Sequence, residues 1–242
     1  MRQTLAQRHR MHHLALAQAA AAATSDDHGQ TVGTAYELQR AQLHQHRIQL
    51  KALQSVEKKI EAKRVILPDY DAYLDGVLQA RPGTQDEVVA TVMVWHIDAG
   101  NYARALEIAE YALASGITPP DSYHRDLPTI VQDEVAEAVI EGRVKGQAAM
   151  QIVAKAMALT EKADTPDQAK SKLFKAAGWA VLGKTSSSDV EMAKRPLKAC
   201  KEALSLLQRA MELDRIRAGV KKDIERLERR LKPKAAGKVP AL

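Results

Sequence analysis

Aromatic residues are scarce: one Phe, two Trp and six Tyr amount to 4% of a 242-residue chain. Sheets favour aromatic and β-branched side chains, whereas the alanine that is abundant here favours close-packed helices, so an all-α protein is expected. There is one cysteine, Cys200. It excludes an internal disulfide and has no paired ligand beside it, which makes it a buried structural thiol in a reducing setting. Long apolar runs are also missing: the longest uncharged one is about ten residues around Val88 to Ile97, well short of the roughly 18 that a membrane span needs. The stretch LALAQAAAAATS after a basic start imitates a signal peptide. Its alanine core is interrupted by Gln18 and preceded by Arg8, Arg10 and three histidines, so it is not read as one. No Gly-x-x-x-x-Gly-Lys-Ser/Thr loop is present, so no Walker-type ATP site is expected and ATP chemistry is left to a partner.

The charge is unevenly placed. Residues 1–68 hold ten Lys/Arg against five Asp/Glu, and six of the eight histidines. Residues 69–140 hold three against thirteen, and residues 141–242 hold 23 against 12, within a net charge of +6. Two cationic regions separated by an acidic one suit phosphate backbones or acidic partners.

Punctuation along the chain sets the expected organisation. Residues 1–33 read as a basic, Ala-rich helix or arm followed by a Ser/Asp/Gly linker. Residues 34–68 read as a long basic helix for DNA binding and self-association. The stretch Tyr36 to Arg64 has no Gly or Pro, spaces Tyr36, Leu43 and Leu50 by sevens, and stops at Leu67-Pro68. Residues 69–183 form an acidic-to-mixed helical core. Within it, Arg81-Pro82-Gly83 is a turn and Thr84 to Glu87 has capping-box spacing. TVMVWHIDAGNYARALEIAEYAL (91–113) is a helical hairpin broken at Gly100-Asn101. Thr165-Pro166 supplies a capping hydroxyl ahead of a helix-starting proline. Residues 184–189 are a linker, 190–232 a second, partner-binding hairpin with a stripe through Leu197, Cys200, Leu204, Leu207 and Met211, and 233–242 a disordered basic tail. The Gly-x-Tyr-x-x-Ala-Leu-x-x-Ala character of Gly100 to Ala109 makes the hairpins tetratricopeptide-like.

Catalytic patterns are thin. His9, His12 and His13 have i, i+3, i+4 spacing suited to a transition metal but no carboxylate or thiolate close by. Glu61-Ala62-Lys63 has the Glu-x-Lys form found in metal-dependent nucleases, without a strand to carry it. No confident catalytic residue and no metal site are assigned. Trp95, Phe174 and Trp179 fall in apolar-periodic helices and read as core, not as platforms for stacked bases.

Several stretches carry a family resemblance: Ala6 to Met11, the helix from Tyr36 through Lys51, Ser55, Glu57 and Lys63-Arg64 to Leu67-Pro68, Gly83-x-Gln85-Asp86, the 91–113 hairpin, LQRAMELD, and AGVKKDIERLERRLKP. Together, in order, they resemble the small terminase subunit of tailed bacteriophages, in the family labelled the terminase endonuclease subunit of cohesive-end packaging phages. The resemblance implies a subunit that binds the packaging (cos) site on double-stranded viral DNA in the bacterial host cytoplasm. It also implies an oligomer such as a ring, and recruitment of the large subunit, on which Mg²⁺ and ATP are expected; no cofactor is expected on this chain. The label "endonuclease" is taken to name the activity of the holoenzyme. An intrinsic metal-dependent endonuclease and a protein-binding scaffold of tetratricopeptide-like pairs are the alternatives. For DNA contact the candidates are Arg2, Arg8, Arg10, Arg40, Arg47, Lys51, Lys58, Lys59, Lys63 and Arg64, because such cations neutralise phosphates. Gln42, Gln45 and Gln49 are candidates for reaching base edges. For partner docking they are Lys221, Lys222, Arg226, Arg229 and Arg230, which serve equally as a nonspecific grip on DNA.

Overall fold

Eleven α-helices and no strand make up the described residues of the computed structural model, which are 4–23, 33–120 and 124–232. Arg2, most of the expected linker and the expected tail lie outside them. The all-α expectation holds. No helix among the described residues is long and apolar enough to cross a membrane.

The chain divides into two units, Met1–Glu134 with Ala158–Ala163 and Val135–Met157 with Asp164–Leu242. In the first, α1 (Leu5–Ala23) packs on α4 (Asp71–Ala80). Its Ala15 and Ala19 are buried, and Gly76 of α4 lets the two backbones approach. The Ala-rich segment is thus a docked helix, held by small residues on both faces.

The long helix expected over 36–64 is two helices, α2 (Thr34–Ala52) and α3 (Val56–Ile66). Leu53 and Ser55 are extended, and the Ser55 hydroxyl accepts from the Lys58 amide, starting a new helix. A serine at this position stabilises an N-terminus. The stripe expected to face a second copy is spent inside the chain, with Tyr36 and Leu50 each 8% exposed and Leu43 fully buried. A period of seven says that one face is apolar but not what covers it.

After α4, Arg81 sits in the left-handed region (φ 51°) and closes the helix with its amide on the Val77 carbonyl, so the expected turn is present. The cap of α5 (Glu87–Asp98) is Asp86, not Thr84: its Oδ1 accepts from the amides of Val88 (2.8 Å) and Val89 (3.0 Å). Asp86 sits one residue before the helix, where a carboxylate reaches both orphan donors. The Tyr73 hydroxyl donates to its other oxygen. Helix α5 is buried on nearly every side and pairs with α6 (Tyr102–Ala114) as the expected hairpin, Gly100 turning the chain at φ 83°. The His46, Tyr70 and Trp95 rings stack edge to face between α2 and α5.

Helices α7 (Leu127–Ile140) and α8 (Gly146–Thr160) contribute to both units. In the first unit Gln132 donates to Thr160 (3.0 Å). The second unit is built on α9 (Asp167–Leu182), α10 (Leu197–Leu213) and α11 (Lys221–Leu231). Gly178 admits Leu207, and the Ser171 hydroxyl donates to the Ala210 carbonyl (2.7 Å). Its core gathers Trp179, Leu182, Cys200, Ala203, Leu207, Ile224 and Leu227, with Cys200 wholly enclosed. Trp95 and Trp179 are core as expected, whereas Phe174 is half-buried. Leu197, expected in the buried stripe, is 50% exposed because it starts α10 ahead of that core. The expected Thr165 cap is not made: Pro166 precedes α9 without a side-chain cap, and Thr165 Oγ1 is buried with no partner among the described residues.

Candidate nucleic-acid interface

The acidic block of the sequence lies against part of the basic one. Arg47 of α2 donates to Glu87 and to Thr91 Oγ1 (2.8 Å), both on α5. Arg40, 62% exposed, shares Glu87 at 3.5 Å. Lys63 of α3 pairs with Asp98, and Arg64 Nε donates to the Ala99 carbonyl (3.0 Å), both at the C-terminal end of α5 where cations are favoured. These four side chains fasten the α2–α3 pair onto the hairpin. Charge counting could not reveal this, because the partners are about 35 to 50 residues away in sequence.

What remains is the elbow at residues 53–55. Lys51 ends α2, and Lys58 and Lys59 begin α3, so three cations flank the break. Lys51 and Lys58 are exposed and Lys59 half-buried, and among the described residues none of the three meets a carboxylate within ion-pair distance. Gln45 and Gln49 are exposed on the preceding turns of α2, with Gln42 half-buried. Arg8 and Arg10 stand exposed on α1.

The C-terminal candidates divide in the same way. Arg226 is engaged by Asp189 (2.8 and 3.1 Å) and the Val190 carbonyl (3.0 Å). Arg230 is half-buried with its Nε unpartnered among the described residues, while Lys221, Lys222 and Arg229 are exposed. Lys221 and Lys222 occupy the first turn of α11, where the helix dipole disfavours a cation by about 0.3–1 kcal/mol. Arg215 and Arg217, in the turn before α11, were passed over in the sequence reading; the available signal was an Arg-x-Arg pair directly after Asp214.

Several titratable groups with displaced equilibria lie buried or half-buried in the first unit. Burial raises the Asp86 carboxyl to about 6, against its bonds from Tyr73 and the two amides. Burial lowers His96 to about 4, and its Nε2 has no partner among the described residues. Burial also lowers His46, whose Nδ1 lies 2.7 Å from the Tyr70 hydroxyl. His46 and His96 are accounted for by packing, and Asp86, although it lines an open cleft with Tyr36, Arg40 and Glu87, spends both carboxylate oxygens on Tyr73 and the first turn of α5. His9 and His13 approach within 3.1 Å through Nε2, but among the described residues no three His, Cys, Asp or Glu side chains are grouped to hold a metal ion. Glu61 and Lys63 do not act together, since Lys63 is turned to Asp98.

Comparison with known proteins gives two matches. The family described as phage small terminase subunit matches residues 40–168, which span the elbow, the α5–α6 hairpin and the start of α9. The chain is also similar to the "Terminase, endonuclease subunit" of Escherichia phage P2, 39% identical over 202 residues, covering 83% of this chain and 76% of that protein. No solved structure matches.

Proposed function

Because this chain belongs to the phage small terminase subunit family and serves phage DNA packaging, we propose that it is the DNA-recognising, non-cutting component of its packaging complex. It binds duplex viral DNA at the packaging (cos) site in the host cytoplasm, self-associates, and recruits the large subunit that carries ATPase and nuclease activity. The endonuclease in the name of the phage P2 relative is then the activity of the assembled complex.

The observation that carries this reading is the elbow. Lys51, Lys58 and Lys59 are kept clear of the carboxylates that neutralise Arg47 and Lys63 nearby. Cations left unpaired can release counterions from a phosphate backbone and bind it. Exposed Leu38, Ile48, Val56 and Val65 on α2 and α3 support self-association, being apolar, 51–72% exposed and on the elements that hold the elbow. Lys221, Lys222 and Arg229 remain available for the large subunit or for DNA.

The test is binding of the purified protein to packaging-site duplex against scrambled duplex over a salt series, with Mg²⁺ present and product lengths read afterwards. The reading expects preferential, salt-sensitive binding with the DNA intact. Cleavage by the isolated protein would show a nuclease in this chain, and absence of binding at low salt would leave a protein-binding role.

A further inference from the structure

Between α10 and α11 the chain makes a tight tip, residues 214–220. Asp214 Oδ1 accepts from the amides of Ile216 (3.2 Å) and Arg217 (2.9 Å), and the Ala218 amide returns to the Asp214 carbonyl (3.1 Å). Gly219 turns at φ 66°, while Ala218 and Val220, 6% and 1% exposed, root the tip in the core of the second unit. The tip is therefore fixed in shape, yet it carries Ile216 outward at 91% exposure, more than any other large apolar side chain described. Exposed Arg215 and Arg217 flank it, and exposed Lys221 and Lys222 follow on the first turn of α11. Three of the acids near by are occupied, Asp214 by its own turn, Glu212 by Arg209 (2.9 Å), and Asp223 by Lys184 (2.6 Å) and Trp179 (3.0 Å), while Glu225 stands exposed one turn further along α11. Lys175 lies beside Gly219, adding a further cation.

An apolar side chain held rigidly between two arginines on an otherwise cationic tip has the chemistry of a minor-groove wedge. Arginine is drawn to the negative potential of a narrow minor groove, and an apolar residue inserted at a base step unstacks it and bends the duplex. We infer that the 214–222 tip inserts Ile216 between base pairs of the packaged DNA from the minor groove, with Arg215 and Arg217 lining the groove and Lys221 and Lys222 on the flanking phosphates. This inference rests on the DNA-binding reading above. It adds bending to recognition: the elbow grips, and the tip deforms. A docking site for the large subunit would also tolerate an exposed isoleucine, but four cations within eight residues, none with an ion pair among the described residues, favour a polyanion.

The experiment uses the full-length protein and duplexes tiled across the ends of the phage genome. Each duplex carries 2-aminopurine at TA or CA steps to report unstacking and an end-to-end dye pair to report bending. Wild type is expected to bind, shorten the end-to-end distance and raise 2-aminopurine fluorescence. Ile216→Ser, at a position with no packing to lose, is expected to bind within about threefold of wild type while losing both signals. Arg215→Ala with Arg217→Ala is expected to lower the salt slope of binding by about two. Wild-type binding with neither bending nor unstacking, or unchanged signals in Ile216→Ser, would overturn the wedge and leave DNA binding intact. No binding to any duplex would overturn both. Loss of large-subunit capture in Ile216→Ser with DNA bending unchanged would overturn the wedge and make the tip a protein contact.

Discussion

Gly76→Ala should loosen α1 while leaving the rest of the molecule at least as stable as before. A Cβ built at position 76 lies 2.9 Å from Ala15 Cβ, from the His12 carbonyl oxygen and from the Leu16 amide nitrogen. Carbon atoms pack best at about 3.5–4.0 Å. Two of the three obstacles are backbone, so no rotamer change relieves the overlap and α1 has to move away. Overpacking of this kind costs about 1–3 kcal/mol. Alanine at a helix-interior position gains about 1 kcal/mol over glycine, and α4 collects that gain whether α1 is docked or not. The clash therefore falls wholly on docking, shifting it about 5- to 150-fold towards the undocked state, while α4 itself is strengthened. Hydrogen exchange of the α1 amides reads the first effect and the thermal midpoint of the whole protein the second. Protection of α1 should drop by that factor with the midpoint changed by a few degrees at most. Gly178→Ala is the control. Its Cβ meets Leu207 Cδ2 and Cγ at 2.7 and 2.8 Å within the second unit, so it should leave α1 exchange alone. Unaltered α1 protection in Gly76→Ala would refute the close α1–α4 approach.

Arg47→Ala should cost about 1–3 kcal/mol in urea melts, because it strips the buried Thr91 hydroxyl and Glu87 of a donor. DNA affinity under folding conditions should change little. Replacing Lys51, Lys58 and Lys59 together by alanine should do the reverse, lowering the salt slope of DNA binding by up to about three with stability held. Two buried groups should give stability opposite pH slopes over the same window. His96, lowered from 6.5 to about 4, contributes stability that is complete above pH 6.5 and is lost as pH falls through 4. Asp86, raised from 3.8 to about 6, contributes stability that is complete below pH 3.8 and is lost as pH rises through 6. Each change is worth up to about 3 kcal/mol. Asp86→Asn, which keeps an oxygen for the Val88 and Val89 amides, should therefore lose stability more steeply than wild type on acidification from pH 6.5 to 4, and His96→Leu should gain. Equal slopes in the two variants would show that neither shift is real.

Local chemistry was legible in the sequence at the turns and the hairpin, though not at the Thr165 cap. Gly100 and Arg81-Pro82-Gly83 marked turns that the structure contains, and the apolar period of 91–113 marked a hairpin. It failed where two local signals competed. Asp86 caps α5 although Thr84 and Glu87 have capping-box spacing, and Ser55 starts a helix inside a stretch that reads as continuous because it holds no Gly or Pro. The candidate interface was legible as composition but not residue by residue. Whether a cation is free depends on what the fold sets opposite it. Glu87 and Asp98 occupy Arg47 and Lys63, whereas among the described residues no carboxylate pairs with the Lys58 side chain. In the same way, the stripe of Tyr36, Leu43 and Leu50 announced an apolar face whose partner turned out to be the chain's own core.

The placement of Cys200 makes the chain its own clock. The sole thiol of 242 residues is sealed in the core of one unit. A thiol reagent in the surrounding buffer can reach it only when that unit opens, whatever α1 or the elbow is doing in the other. The rate of alkylation of the unmodified protein therefore times the opening of the α9–α11 unit alone. Repeating the measurement with DNA or the large subunit present would show which of them holds that unit shut, with no engineered label.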